Sequence, residues 1–261
     1  MISVRQSVLL PSSGPAAPTV GPILLNKRNS FPNVPIINRS NPLTKGLPLC
    51  VVPIAGGFVD LVTGMLAPQP STISFRKTVR QQDPILPYAK YNSTPAYFPA
   101  RTLLDNHTGP YTLFIDSCLE TNATFATILS SYDSTNGIGM HLFIDDALTV
   151  VNTFVLSSFN TGHQNAGSVL GTNSEQFSHR LMVTADGSNW KFYAANQLVR
   201  TLGYSELPGT SSLRQTYVNN GGSSRVIVAW NRPLSLLEYS SLYNNPYQLF
   251  STSTPHLWGN I

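Results

Sequence analysis

From about residue 48 onward, runs of alternating apolar and polar residues recur along the chain, the pattern of strands that bury one face. Tyr111-Thr-Leu-Phe-Ile-Asp-Ser-Cys118 is such a run, and Thr124-Phe-Ala-Thr-Ile-Leu-Ser130 follows it after the polar connection Glu120-Thr-Asn. Gly137 to Phe143 and Leu148 to Leu156 read as two more strands, with Asp145-Asp146 as the turn between them. Arg180 to Ala185 and Trp190 to Ala195 flank Asp186-Gly-Ser-Asn189. That tetrapeptide predicts a hairpin, because glycine accepts the positive φ the turn demands. Asn196-Gln197 then turns the chain into Leu198 to Leu202, and the almost wholly apolar Arg225-Val-Ile-Val-Ala-Trp230 predicts a buried strand. One helix stands out. Ser235-Leu-Leu-Glu238 has the form of a capping box, in which the serine hydroxyl accepts from the backbone three residues on and the glutamate reaches back. Leu236, Leu237, Tyr239, Leu242 and Tyr243 give this helix apolar faces, and Asn244-Asn245-Pro246 ends it. Many short strands with one short helix predict an all-β sandwich. No repeat with a period of ~20–50 residues is visible, which argues against a solenoid or propeller.

The first 47 residues are of another kind. Prolines at 11, 15, 18, 22, 32, 35 and 42 each remove a backbone donor and disfavour helix at their own and the preceding position. Apolar clusters lie between them: Val8-Leu9-Leu10, Ile23-Leu24-Leu25, Val34 and Ile36-Ile37. An arm laid along another surface would bury such clusters; a disordered tail is the plainer alternative. The expected organisation is an extended proline-rich basic arm over 1–47, a sandwich over 48–250 and a short tail over 251–261.

Charge sharpens this division. Residues 1–59 carry Arg5, Lys27, Arg28, Arg39 and Lys45 and no acidic residue, a net +5. The other 11 of the 16 basic residues and all 12 acidic ones lie beyond, a net −1. Charged residues are only 11% of the chain, against about 25% in ordinary soluble domains, so the sandwich surface must be mainly neutral and polar. No run approaches the ~18 apolar residues of a membrane span, and the first thirty residues lack the apolar core of an export signal. Membrane insertion is therefore not expected. Cys50 and Cys118 are expected as free thiols, since a domain of this size folds without a disulfide.

Three segments together resemble a known family. The strongest is Arg225-Val-Ile-Val-Ala-Trp-Asn-Arg-Pro-Leu-Ser-Leu-Leu-Glu-Tyr-Ser-Ser-Leu-Tyr-Asn-Asn-Pro-Tyr-Gln-Leu-Phe250, a buried strand running into a capped helix and its tail. Phe177-Ser-His-Arg-Leu-Met-Val-Thr-Ala-Asp-Gly-Ser188 supplies a strand and turn, and Asn41-Pro-Leu-Thr-Lys-Gly-Leu47 with Gly57-Phe-Val-Asp-Leu-Val-Thr-Gly64 supplies a beginning. These resemble the laminin-G or concanavalin-A-like jelly roll in its bacteriophage virion-protein form, over roughly residues 41–250. The chain departs from that family at Phe177, where a tryptophan is usual, and in a glycine-rich first loop reduced to Gly56-Gly57. The resemblance implies a jelly-roll β-sandwich with one short C-terminal helix, and a place in a virion.

Catalytic patterns are sparse. Jelly-roll glycosidases use a carboxylate pair, but none of the four glutamates, Glu120, Glu175, Glu206 and Glu238, has an aspartate two residues on. Carboxylates brought together from distant strands remain the open route to such chemistry. Asp145-Asp146 reads as a turn before it reads as a calcium site, and His107, His141, His163, His179 and His256 show no metal-ligand spacing. No nucleotide or nucleophile-elbow motif occurs, so no catalytic residue, metal or cofactor is expected. Tyr88, Tyr91, Tyr97, Tyr132, Tyr204 and Trp258 could form a sugar platform or serve packing. The basic residues are too dispersed for a nucleic-acid surface. The expectation is a non-enzymatic virion protein, a capsid decoration, head-fibre or tail-associated protein. Arg5, Leu24, Lys27, Arg28, Ile37, Arg39 and Lys45 would anchor it on major capsid or tail proteins, and the chain would form a homo-oligomer. The alternative is a lectin module of a phage tail that recognises a host surface glycan.

Overall fold

The computed structural model describes residues 35–54, 57–68, 74–76, 88–90, 96–99, 103–106, 108–118, 125–133, 138–145, 153–158, 168–169, 178–203, 215–220 and 223–251. Every strand pairing among them is antiparallel. One sheet runs β15 (Gln197–Gly203), β14 (Asn189–Ala194), β13 (Ser178–Ala185), β8 (Tyr111–Cys118), β17 (Ser223–Trp230), β2 (Leu49–Ile54), β3 (Gly57–Asp60), β4 (Leu66–Pro68). Two short strands, β5 (Ser74–Arg76) and β6 (Tyr88–Lys90), extend it through β17 to ten strands. The second sheet has six, in the order β12 (Ser168–Val169), β11 (Thr153–Ser158), β10 (Ile138–Asp145), β9 (Phe125–Asp133), β16 (Gln215–Asn220), β7 (Ala96–Tyr97).

The period of two sorts the ten-stranded sheet's side chains onto two faces. Leu49, Val51, Leu113, Ile115, Leu181, Val183, Trp190, Phe192, Ile227 and Ala229 pack with Leu129 and Val218 of the six-stranded sheet, forming the core between the sheets. The alternate residues Cys50, Val52, Phe114, Met182, Tyr193, Val226, Val228 and Trp230 face away from it and are also buried. A third layer covers them, built of Leu43, Leu47, Leu234, Leu249 and Phe250 with the one α-helix among the described residues, α1 (Leu236–Asn244), which contributes Tyr239 and Leu242. Burial on both faces explains why Leu49-Cys-Val-Val-Pro-Ile54 is apolar without a break.

The third layer uses residues that the sequence assigned to the arm. β1 (Ile36–Ile37) pairs with β18 (Phe250–Ser251), matching Ile37 with Phe250, and Asn38 N–H donates to the Leu249 carbonyl at 2.8 Å. Pro35 and Ile37 are buried. From Pro35 onward, therefore, the chain is part of the domain.

Turn chemistry follows the sequence closely. Asp186 accepts from the N–H groups of Ser188 and Asn189 at 2.8 and 2.6 Å, and Gly187 takes φ +91° between β13 and β14. Those two bonds hold the Asp186 carboxyl below its usual range. The next turn centres on Ala195 and Asn196, at φ +48° and +63°, one residue earlier than expected. At Gly57 a Cβ would overlap the backbone carbonyl of Ala67, so this glycine of the reduced first loop is fixed by the close approach of β3 and β4.

The capping box of α1 is complete. Glu238 N–H donates to Ser235 Oγ at 3.3 Å and Ser235 N–H to Glu238 Oε2 at 2.8 Å, while Arg232 Nη2 meets Glu238 Oε1 at 2.6 Å. Arg232 is the main reason that the Glu238 carboxyl lies below its ordinary value of 4.5, with the Ser235 bonds adding to it. Folding therefore strengthens its acidity, so its contribution to stability is full above that value and is lost as pH falls through the lower folded value. Ser235→Ala should cost about 0.5–2 kcal/mol, read as a shift of the urea midpoint near neutral pH.

Candidate functional site

The surface candidate is the loop of residues 38–46. Asn41 caps a short 3-10 turn at Pro42–Thr44, accepting from Leu43 N–H at 2.9 Å. Its amide nitrogen donates to the Gln248 carbonyl at 3.0 Å. Thr44 Oγ1 lies 2.8 Å from the carbonyls of both Asn38 and Asn41, and Trp230 Nε1 donates to the Leu43 carbonyl at 2.6 Å from the buried third layer. The loop is thus tied to the sheet and to the C-terminal tail. It shapes an open concavity of about 530 Å³ lined by Arg39, Ser40, Asn41, Pro42, Thr44, Lys45 and Gly46. Arg39 and Lys45 are exposed there.

Beneath the third layer lies a charged cluster that sequence reasoning missed. Asp116, on β8, is fully buried and accepts from Arg225 Nη2 at 3.2 and 3.0 Å through its two oxygens, and from Arg180 Nε at 3.3 Å. Arg225 owes its direction to a bulge: Ser224 pairs with Ser117 and Val226 with Asp116, leaving Arg225 as the extra residue. Its guanidinium also lies 5.4 Å from the centre of the Tyr247 ring. Arg180 donates to the carbonyls of Tyr243 and Asn244 at the end of α1, and Tyr239 Oη donates to the Arg180 carbonyl at 2.7 Å. A cation on the last carbonyls of a helix is favoured by their partial negative charge. The cluster therefore bolts helix and tail to the sheet. Its signal in the sequence was the presence of Asp116, Arg180 and Arg225 inside apolar strand runs.

Of the residues expected to anchor a partner, Ile37 lies in the domain's own core and is withheld from any partner. Arg39 and Lys45 line the concavity. Arg5, Leu24, Lys27 and Arg28 lie outside the described residues.

Cys50 is a free, buried thiol pushed well above its ordinary value by burial and by neighbouring Asp60, the opposite of what a nucleophile needs. Asp60 is itself raised by burial, against the bonds it accepts from the Thr63 hydroxyl and the Cys50 and Val62 N–H groups. Asp105 accepts from Ser131 and Thr216 hydroxyls, both at 2.7 Å. Asp145 ends β10, and His141 and His179 lie on β10 and β13. Asp146, Glu120, Glu175, Glu206 and the other histidines fall outside the described residues. Among the described residues no group of three or more His, Cys, Asp or Glu comes together as a metal site, and no helix is long and apolar enough to cross a membrane. Of the aromatic platform candidates, Tyr97 is 45% exposed on β7; Tyr91, Tyr204 and Trp258 lie outside the described residues, as do the side chains of Tyr88 and Tyr132.

Two antiparallel sheets face to face, with one short helix, define a concanavalin-A-like jelly-roll β-sandwich of lectin-like form. No protein-family model and no curated protein matches the sequence. Among solved structures, the binding domain of botulinum neurotoxin DC, solved with rat synaptotagmin II, matches with a TM-score of 0.54 at 13% identity, over 77% of this chain and 52% of that one. A botulinum neurotoxin type C structure, whose report ties cell entry to two ganglioside molecules, matches at 0.53 and 15%, over 77% and 51%. Trypanosoma rangeli sialidase matches at 0.53 and 13%, over 76% of this chain and 32% of the enzyme. The chain thus spans about half of the toxin chains and about a third of the sialidase, and the likeness is one of fold.

Proposed function

We propose that the chain is a non-enzymatic virion structural protein of the bacteriophage type: a capsid decoration, head-fibre or tail-associated protein whose sandwich is displayed while the N-terminal segment fastens it to the particle. The observation that carries this reading is the separation of charge and composition. The whole basic excess, with its apolar clusters, precedes or opens the sandwich, while the described carboxylates Asp60, Asp105, Asp116 and Glu238 are committed to hydrogen bonds within the fold. The resemblance of the beginning and end of the sandwich to phage jelly rolls points the same way. Its partners are acidic faces of major capsid or tail proteins, with several copies on one particle.

Charge and apolar burial should separate in a binding assay. Raising salt from ~0.05 to ~0.5 M shortens the Debye length from about 14 to about 4 Å, so occupancy on virions should fall without vanishing. Leu24→Asp should remove most of the remainder even at low salt, because it sets a charge where apolar surface would be buried. Gel densitometry of copies per particle reads both effects; occupancy indifferent to salt and to Leu24→Asp would sink the proposal.

Glycan recognition is the second reading, favoured by the likeness to toxin binding domains, one of them described with gangliosides, and by exposed Tyr97. A glycan array comparing the intact chain with Tyr97→Ala tests it, and silence across the array would dismiss it.

A further inference from the structure

We propose that the concavity bracketed by Arg39 and Lys45 is a preformed site for an anionic saccharide, a sugar bearing a carboxylate or sulfate group. The inference rests on the glycan-recognition reading and gives it a place and a charge. Arg180 and Arg225 face Asp116, Lys191 faces Asp186 and Arg232 faces Glu238. Arg39 and Lys45 differ: both side chains are exposed, and among the described residues neither side chain makes a hydrogen bond or an ion pair, Arg39 acting only at longer range on the Cys50 thiol. Two cations without an ion-pair partner among the described residues thus line one concavity, and an anion seated between them would be attracted by both.

The loop that carries them is rigid where it matters. Asn38, Asn41 and Thr44 fix its backbone through Gln248 and one another, and the Trp230 bond to Leu43 joins it to the core. A ligand would therefore meet a site already shaped, without the cost of ordering a loop. The volume of about 530 Å³ falls in the range of small-molecule sites. Beside the two cations the lining offers the ring of Pro42, a flat apolar surface for the face of a sugar ring, while Ser40 Oγ and the Asn41 amide already donate to Asn38 and Gln248 and hold the loop in shape. A protein segment would need a broader apolar centre, which these walls do not offer.

Titration calorimetry of the intact chain at low salt decides it, with sialyllactose and sulfated lactose as anionic probes, lactose as the neutral control and a short poly-glutamate peptide as the protein-like one. Either anionic sugar should bind at least about tenfold more tightly than lactose, and Arg39→Ala with Lys45→Ala should remove that advantage. Both residues are exposed, so the double variant should keep the parent Tm. Preference for one anionic sugar over the other names the charged group and supports the site. Anionic binding that survives in the double variant, capture of the peptide alone, or no binding of either anionic sugar would overturn it. Lactose bound as tightly as the anionic sugars, by parent and double variant alike, would overturn this site while leaving glycan recognition standing, whereas a silent glycan array removes both.

Discussion

Replacing Asp116 by alanine is expected to lower the unfolding free energy by about 3–5 kcal/mol, because it removes a fully buried carboxylate shared by two guanidinium groups. Arg225 is only 3% exposed and cannot turn to water while Tyr247 and the tail lie over it. Arg180 would keep its bonds to the end of α1 but lose the Asp116 carboxylate. A buried pair is costly to break and much less costly to replace whole. Asp116→Leu with Arg225→Met should therefore recover a large part of the loss, and the double-mutant cycle should report coupling well above 1 kcal/mol. Urea midpoints of the parent, both single variants and the double variant provide the measurement. A single-variant loss below about 1 kcal/mol would show that the cluster does not hold the third layer to the sheet.

The second large effect concerns where the domain begins. The chain 35–261 should unfold with the midpoint of the parent, since all the described packing starts at Pro35. The chain 41–261 loses buried Ile37, its pairing with Phe250 and the bond from Asn38 to Leu249. With about 1.5–3 kcal/mol for a buried isoleucine and about 1 kcal/mol for each hydrogen bond, the deficit should be about 3–5 kcal/mol. Thermal and urea unfolding of the two truncations side by side would show it, and equal midpoints would return residues 35–40 to the arm.

Much of the fold was legible because it is written in local chemistry. The strand at Tyr111–Cys118 has the expected ends, the Asp186-Gly187 hairpin forms as its turn residues require, and Ser235 caps α1 with both expected bonds. What escaped the sequence is non-local. Ile37 reads as one apolar cluster among several between prolines, and only its pairing with Phe250, more than two hundred residues away, makes it core. Asp116 reads as a polar position of an alternating strand and Arg225 as the polar first residue of an apolar one; a third layer on the far face and a bulge at Arg225 turn them into a buried pair. The concavity was hidden for the same reason. Arg39 and Lys45 looked like charges spread along an arm, until bonds to Gln248 and Trp230 curled their loop around a hollow.

The most direct test of the proposed role is a count of copies per virion, by quantitative mass spectrometry of purified particles, after adding the full chain or the chain 35–261 to particles that lack it. The shortened chain keeps the whole described sandwich, the third layer and the Arg39–Lys45 concavity, so any difference belongs to residues 1–34. Anchoring by that segment predicts a fixed, repeatable number of full-length copies per particle and essentially none of the shortened chain. Equal occupancy by the two would contradict the account, and the sandwich itself would then have to be the part that holds the particle.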